Sequence, residues 1–286
     1  GVELALTWDD TLGKDFKYNI SLNGSYNKNE VGNIPTSDGI IHGAGDELYN
    51  NASEFYRAEN GQPIGYFWGY KTAGIFQNTQ EIDEWRAVGN GILQSNVQPG
   101  DVRFVDRNHD GQINDKDKVN LGNGTPDFTL GLNLGFVYKG FDFSIVANGA
   151  FGQQIVQSYR NHTRPTPNYT TAILDRWHGE GTSNRIPRVT DSNINYQFSD
   201  LFIQNGDYLR LSTLTLGYDF AKLFKGKAVS QARLYFQVQN LFTITGYDGM
   251  DPEIGFGSSN NSWVSGLDYG YYPRPRTVLV GVNLKF

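Results

Sequence analysis

Seven stretches of the chain alternate apolar and polar residues with a period of two, the spacing of a β-strand with one greasy and one wet face. In the first, Val2, Leu4, Leu6 and Trp8 share one face and Gly1, Glu3, Ala5 and Thr7 the other. In the second, Phe16, Tyr18, Ile20, Leu22, Gly24 and Tyr26 alternate with Lys17, Asn19, Ser21, Asn23, Ser25 and Asn27. The third sets Phe128, Leu130, Leu132, Leu134, Phe136 and Tyr138 against Thr129, Gly131, Asn133, Gly135, Val137 and Lys139. The fourth sets Phe141, Phe143, Ile145, Ala147, Gly149 and Phe151 against Asp142, Ser144, Val146, Asn148 and Ala150. A fifth begins near Gly206, breaks phase around Leu211 and Ser212 as at a β-bulge, and ends on Leu214, Leu216, Tyr218 and Phe220. The sixth carries Ala232, Leu234, Phe236, Val238, Phe242 and Ile244, and the last Val278, Val280, Val282, Leu284 and Phe286. No proline interrupts any of them.

An ordinary β-sandwich or soluble barrel would bury these apolar faces in a core. Three features favour a bilayer instead. The runs are about 10–13 residues, longer than the usual globular strand and sufficient to cross a membrane at a tilt. Aromatics cluster near the ends of the apolar faces, as in interfacial girdles, with aliphatics between them. The opposite faces carry Lys, Asn, Gln and Arg, which suits a wet lumen. Composition agrees: 34 glycines, 18 Phe, 17 Tyr and 5 Trp accompany a single Met and no cysteine. The lack of cysteine excludes disulfide frameworks, zinc knuckles and thiol catalysis. A net charge of −6 gives no basic patch for a nucleic-acid partner. Mean hydropathy is −0.49, and no apolar run reaches the length of a spanning helix.

The connections alternate in length. Short turns at 9–15, 139–140 and 221–230 separate long stretches at 28–126, 152–205 and 245–276, the rhythm of periplasmic turns and extracellular loops. An odd number of antiparallel strands cannot close in the usual way, since first and last would run parallel. The expectation is therefore an all-β, transmembrane antiparallel barrel of which this chain supplies a part. The chain opens on Gly1-Val2-Glu3-Leu4 without Met or a signal sequence, so either a leader has been removed or it is a piece of something longer.

A stretch of 99 positions such as 28–126 is too long to be structureless. Gly65 to Phe76 reads as a strand or hairpin arm that does not cross the membrane. Asn78 to Val88 reads as a short helix, with Asn78 as N-cap and Glu81 three residues on, and Tyr169 to Trp177 as another. The most specific motif is Asp106, Asn108, Asp110, Gly111, Ile113 and Asp117, the EF-hand spacing at positions one, three, five, six, eight and twelve. Asp106, Asn108, Asp110, the Gln112 carbonyl and Asp117 are the expected ligands of a structural Ca²⁺, the alternative being an acidic turn that binds nothing. Asp117 replaces the usual Glu with a shorter arm, and no flanking helices suggest a Ca²⁺-triggered opening.

Catalytic constellations are poor. The four histidines, His42, His109, His162 and His178, fall in no metal-binding spacing, and no organic cofactor is expected. Gly122 to Thr125 leads into a strand, so it is a turn and not a phosphate cradle. Trp177, His178 and Glu180 are better read as a loop anchor than as an acid–base pair. In the last long loop, Trp263, Tyr269, Tyr271 and Tyr272 could stack on a ligand or pack within the loop.

These pieces resemble the C-terminal part of SusC/RagA-type TonB-dependent transporters of Bacteroidetes outer membranes. The resemblance is carried by Gly65–Phe76 with its following helix, by Gly100-Asp101-Val102-Arg103-Phe104 leading into the acidic loop, and by Asn205 to Leu211. It continues through Val238-Gln239-Asn240-Leu241-Phe242-Thr243 to Asp251-Pro252-Glu253, and ends on the terminal strand with Phe286. It implies a 22-stranded barrel of which these are the last seven strands, with a plug domain and the TonB-contacting segment absent from this chain. It also implies a SusD-like surface lipoprotein as partner, uptake of oligosaccharides or peptides, and no enzymatic step. The competing expectation is a soluble or surface-exposed β-sheet carbohydrate-binding module with the aromatic loop as its platform.

Overall fold

The computed structural model describes residues 1–48, 52–87, 96–158, 169–190, 193–221, 229–254 and 262–286. Strands β1 (Val2–Leu12) and β2 (Phe16–Tyr26) form a hairpin. The first long connection then folds into β3 (Ile40–His42), β4 (Tyr56–Glu59), β5 (Tyr66–Gly69), β6 (Thr72–Ile75), helix α1 (Thr79–Ala87), β7 (Val102–Phe104) and β8 (Val119–Asn120). Strands β9 (Phe128–Tyr138) and β10 (Phe141–Phe151) follow, then short β11 (Gln154–Gln157) and β12 (Ile203–Asn205). The chain ends with β13 (Tyr208–Asp219), β14 (Gln231–Thr245), the two-residue β15 (Leu267–Asp268) and β16 (Thr277–Lys285).

The seven long strands make one antiparallel sheet in the order β1-β2-β9-β10-β13-β14-β16, every neighbour following in chain sequence once the connections are set aside. Among the described residues its outermost strands, β1 and β16, each pair on one side only. The pattern-derived strands hold, and the phase break in the fifth is a bulge. Leu211 opposes Ala147 and Thr213 opposes Val146, so Ser212 is the extra residue; its hydroxyl bonds Asn148 on the polar face. The β9–β10 turn is two residues, Lys139 and Gly140, both at positive φ (48° and 95°), as a type I′ hairpin requires.

Among the described residues no second layer covers the apolar face. Leu4, Val280 and Val282 are 57%, 71% and 61% exposed, and Leu6, Trp8, Phe236, Ile244 and Leu284 are exposed with them. Each such side chain forgoes about 1.5–3 kcal/mol of burial if it faces water, so the sandwich expectation is set aside and an apolar medium is required.

The packed core lies instead in the three long connections. Phe55, Tyr56, Phe67 and Leu121 from the first meet Val156 and Phe198 from the second and Val264 and Leu267 from the third. Parallel pairing of Val156 with Leu267 joins the last two, and Tyr70 bridges to Ser199. Gly124 and Gly266 permit the closest approach: a Cβ on Gly266 would lie 2.4 Å from the Gln154 carbonyl oxygen and 2.7 Å from the Gly124 Cα, and its φ is +81°. The expected loops are therefore a folded assembly above one end of the sheet.

Helix α1 forms close to its expected bounds, and Val88 falls outside the described residues. Asn78 caps it, its Oδ1 accepting from Glu81 N at 3.0 Å. Glu81 reaches back one residue further than in a capping box, accepting from Gln77 N at 2.9 Å. The second helix expected over Tyr169 to Trp177 is only a 3-10 turn, Thr171–Asp175, which buries none of its residues. Without an apolar face against the core, so short a segment has nothing to propagate it.

Candidate functional site: a polar wall and its rim

The polar face of the sheet is low in relief. Glycines 131 and 135 on β9 sit beneath Asn23 and Asn19 of β2, whose amide oxygens would be 2.4 Å from a Cβ at either glycine. Thr7 and Ser21, and Ser25 and Thr129, exchange hydroxyl bonds across strands at 3.2 and 2.7 Å. Two clusters of ion pairs punctuate this wall. Arg233 on β14 donates to both oxygens of Asp142 on β10, at 2.8 and 2.5 Å, reaching across Gly217. Arg210 on β13, only 3% exposed, donates to Thr243 (3.0 Å), Asp251 (2.5 Å) and Glu253 (2.9 Å). Arg274 also bonds Glu253, at 2.7 Å. This second cluster ties the third long connection to the wall.

A buried carboxylate organises the rim. Asp101, fully buried, accepts from Arg188 Nε at 2.8 Å, Asn195 Nδ2 at 3.0 Å and Gln98 N at 2.8 Å. Asn195 Oδ1 in turn accepts from Val102 N at 2.9 Å. The first and second connections are thereby locked by charge-assisted bonds. Trp68 carries two cations over its ring, Arg57 at 3.2 Å and Lys118 at 4.3 Å from the centroid. At the outer side His42 bonds Glu54 through Nδ1 (2.9 Å) and Asp38 through Nε2 (3.2 Å). Glu54 and Asp38 hold the His42 pKa above its ordinary value, while the His42 contact draws the exposed Asp38 down to about 2. Burial pushes the Tyr56 phenol up to about 12.

The aromatic run splits. Trp263 packs edge-on to Tyr56, ring centroids 5.4 Å apart, against the loop core. Tyr269 packs there too, and its hydroxyl donates to Glu47 at 2.7 Å. Burial and Glu47 both raise the Tyr269 pKa. Tyr271 and Tyr272 point outward, Tyr272 being 88% exposed. Trp177 donates through Nε1 to Gln77 at 3.2 Å and Glu180 accepts from Asn78 at 2.7 Å, which makes that segment an anchor. His162 lies outside the described residues.

In the acidic loop, Asp106 Oδ2 accepts from Gly111 N (2.8 Å), Asn108 Oδ1 from Asp110 N (3.0 Å) and Asp110 Oδ1 from Gln112 N (2.9 Å). Asp117 Oδ1 accepts from Arg107 N and its Oδ2 from Asn114 N. Asp106 and His109 also border a cleft of about 520 Å³ along α1, with Glu81, Glu84, Trp85 and Arg103. The Asp101 and Arg210 hubs show no signal in the sequence beyond lying in stretches that carry the family resemblance.

A one-sheet wall with an uncovered apolar face, a polar inner face and a folded rim is a section of a transmembrane β-barrel. No family model matches the sequence, but similar proteins agree on what kind of barrel. TonB-dependent receptor P3 of Formosa agariphila is 32% identical over 298 residues, covering 100% of this chain and 28% of that receptor. TonB-dependent receptor SusC of Bacteroides thetaiotaomicron is 28% identical over 288 residues, covering 100% of the chain and 26% of that receptor. In fold the chain matches the RagAB peptide transporter with a TM-score of 0.72 at 20% identity, over 99% of the chain and 29% of the matched one. Over its whole length the chain is similar to TonB-dependent receptors, SusC among them, and it spans less than a third of the length of the receptors it matches.

Proposed function

We propose that this chain forms wall and extracellular rim of a SusC-like importer in the outer membrane of a Bacteroidetes-type bacterium. It supplies the last seven of 22 strands; the plug and the segment that receives energy from TonB lie in the rest of the transporter. A SusD-like surface lipoprotein docks on the rim, and the cargo is an oligosaccharide or a peptide. No bond is made or broken by these residues. Exposed Tyr271 and Tyr272 contact cargo or partner, with Trp263 and Tyr269 fixing them from below.

The observation that carries this reading is the combination of an uncovered apolar sheet face with two half-paired edge strands, β1 and β16. Such edges demand further strands, and such a face demands lipid. The test is extraction of native membranes in mild detergent, purification of the complex containing this polypeptide, and intact mass with N-terminal sequence for each component. Plug, remaining strands and a lipoprotein in one complex support the reading. A lone species of about 32 kDa that stays soluble without detergent overturns it.

A further inference from the structure

We propose that the Asp106–Asp117 loop is a Ca²⁺ site that clamps β7 to β8, an inference that does not rest on the import reading. The donors stand at EF-hand spacing: Asp106, Asn108, Asp110, the Gln112 carbonyl and Asp117. Ile113, fully buried, packs with Tyr70, Val102 and Phe104 and fixes the loop to the rim from within. His109 and Gly111, at φ of 58° and 79°, turn the backbone through the tight bend.

What points to a ligand is charge left without a counterpart. Asp106 Oδ1 is buried and has no hydrogen-bond partner, although the other oxygen of the same carboxylate is satisfied by Gly111 N. Asp117 is fully buried, and the bonds it accepts come from the backbone N–H groups of Arg107, Asn108 and Asn114. Neither carboxylate forms an ion pair among the described residues, while the neighbouring Lys118 pairs with exposed Asp115 at 2.8 Å. A carboxylate oxygen withdrawn from water with no donor is costly, and a cation at that oxygen removes the cost.

The donor chemistry selects the ion. Among the described residues no three His, Asp or Glu side chains converge on a metal position, so coordination would have to draw on amide and carbonyl oxygens as well as carboxylates. An all-oxygen, chain-wrapped set of that kind suits Ca²⁺, which accepts irregular geometry, better than Mg²⁺, which demands an octahedron, or Zn²⁺, which prefers nitrogen and sulfur. One contact must exchange on binding: Asn108 Nδ2 now donates to Asp110 Oδ2 at 2.9 Å, and the ion takes that oxygen. The loop leaves β7, paired with β6, and returns through β8, paired with β5. An ion held at both ends of the loop therefore cross-links two small sheets of the rim.

The experiment uses the detergent-solubilised receptor containing this chain, freed of metal with EGTA. Equilibrium binding of radioactive Ca²⁺ is compared between wild type and an Asp106→Asn/Asp110→Asn variant. One fewer Ca²⁺ per receptor, or at least about tenfold weaker binding at one site, is expected, with a tenfold excess of Mg²⁺ failing to displace the wild-type ion. Equal stoichiometry and affinity in the two proteins, or ready displacement by Mg²⁺, overturns the proposal. Should the variant fail to assemble, limited trypsin digestion of the wild type decides. Cleavage after exposed Arg107 and Lys116 should be at least about tenfold slower with Ca²⁺ than with EGTA, and an unchanged rate refutes the site.

Discussion

Replacing Arg210 by Met should free the third connection from the wall. The guanidinium is 3% exposed and holds Asp251, Glu253 and Thr243 at once. Methionine keeps the aliphatic stem but leaves Asp251, itself 8% exposed, as an unpaired carboxylate. Removing one partner of a buried pair costs about 3–5 kcal/mol. Glu253 is 28% exposed at its side chain and still bonded to Arg274, so solvent and Arg274 recover part of this, and about 3 kcal/mol is expected. At about 1.4 kcal/mol per tenfold, opening of that connection becomes roughly a hundredfold more frequent. Hydrogen exchange of residues 247–254 in the folded receptor reads this directly, since local opening governs exchange there. Neutralising the acids as well, in Arg210→Met/Asp251→Asn/Glu253→Gln, should restore a large part of the protection. A change below about 0.5 kcal/mol, or no recovery in the triple variant, would show that the cluster is not the anchor.

Three further outcomes follow from the same geometry. Val280→Arg on the apolar face should destabilise the barrel in lipid vesicles by about 2–4 kcal/mol, whereas Asn283→Arg on the polar face of the same strand should change urea unfolding by less than about 1 kcal/mol. Gly266→Ala should cost about 2–4 kcal/mol, because a positive φ and a backbone clash add, and it should appear as protease sensitivity of the rim with the strands still protected. The His42 contacts have a defined pH sense. The pKa of His42 is raised in the folded chain by Glu54 and Asp38, against the opposing effects of burial and of Arg57, so its contribution is complete below about 6.5, the unfolded value, and fades as pH rises through the folded one. The opening free energy around Ile40–His42, read from exchange corrected for its intrinsic pH dependence, should therefore fall above neutrality, and His42→Phe should abolish that fall; an opening free energy independent of pH in the wild type would contradict it.

The wall was legible in the sequence because its code is local. Alternate residues such as Val278, Val280 and Val282 declare a face without reference to any partner, and even Ser212 showed as a slip of phase. The rim was not legible for the opposite reason. Its strands β3 to β8 run two to four residues, too few to establish a period, and its core joins Phe55, Phe198 and Val264, which lie far apart in the chain. Trp263 and Tyr269 could be called aromatic but not inward, since Tyr56 and Glu47, which receive them, come from the first connection. Asp101 likewise gave no sign of being a hub, since the groups that bond it, Arg188 and Asn195, come from the second connection.

As the wall of a barrel, the sheet meets lipid with its apolar face and not with its polar one. The chain has no cysteine, so single cysteines can be placed from 278 to 283 along β16 of a receptor cleared of cysteine elsewhere, labelled with an environment-sensitive fluorophore and reconstituted with brominated lipid. Strong quenching at 278, 280 and 282 and weak quenching at 279, 281 and 283 is the predicted result. Uniform quenching, or none at any position, would contradict it and return the sheet to water.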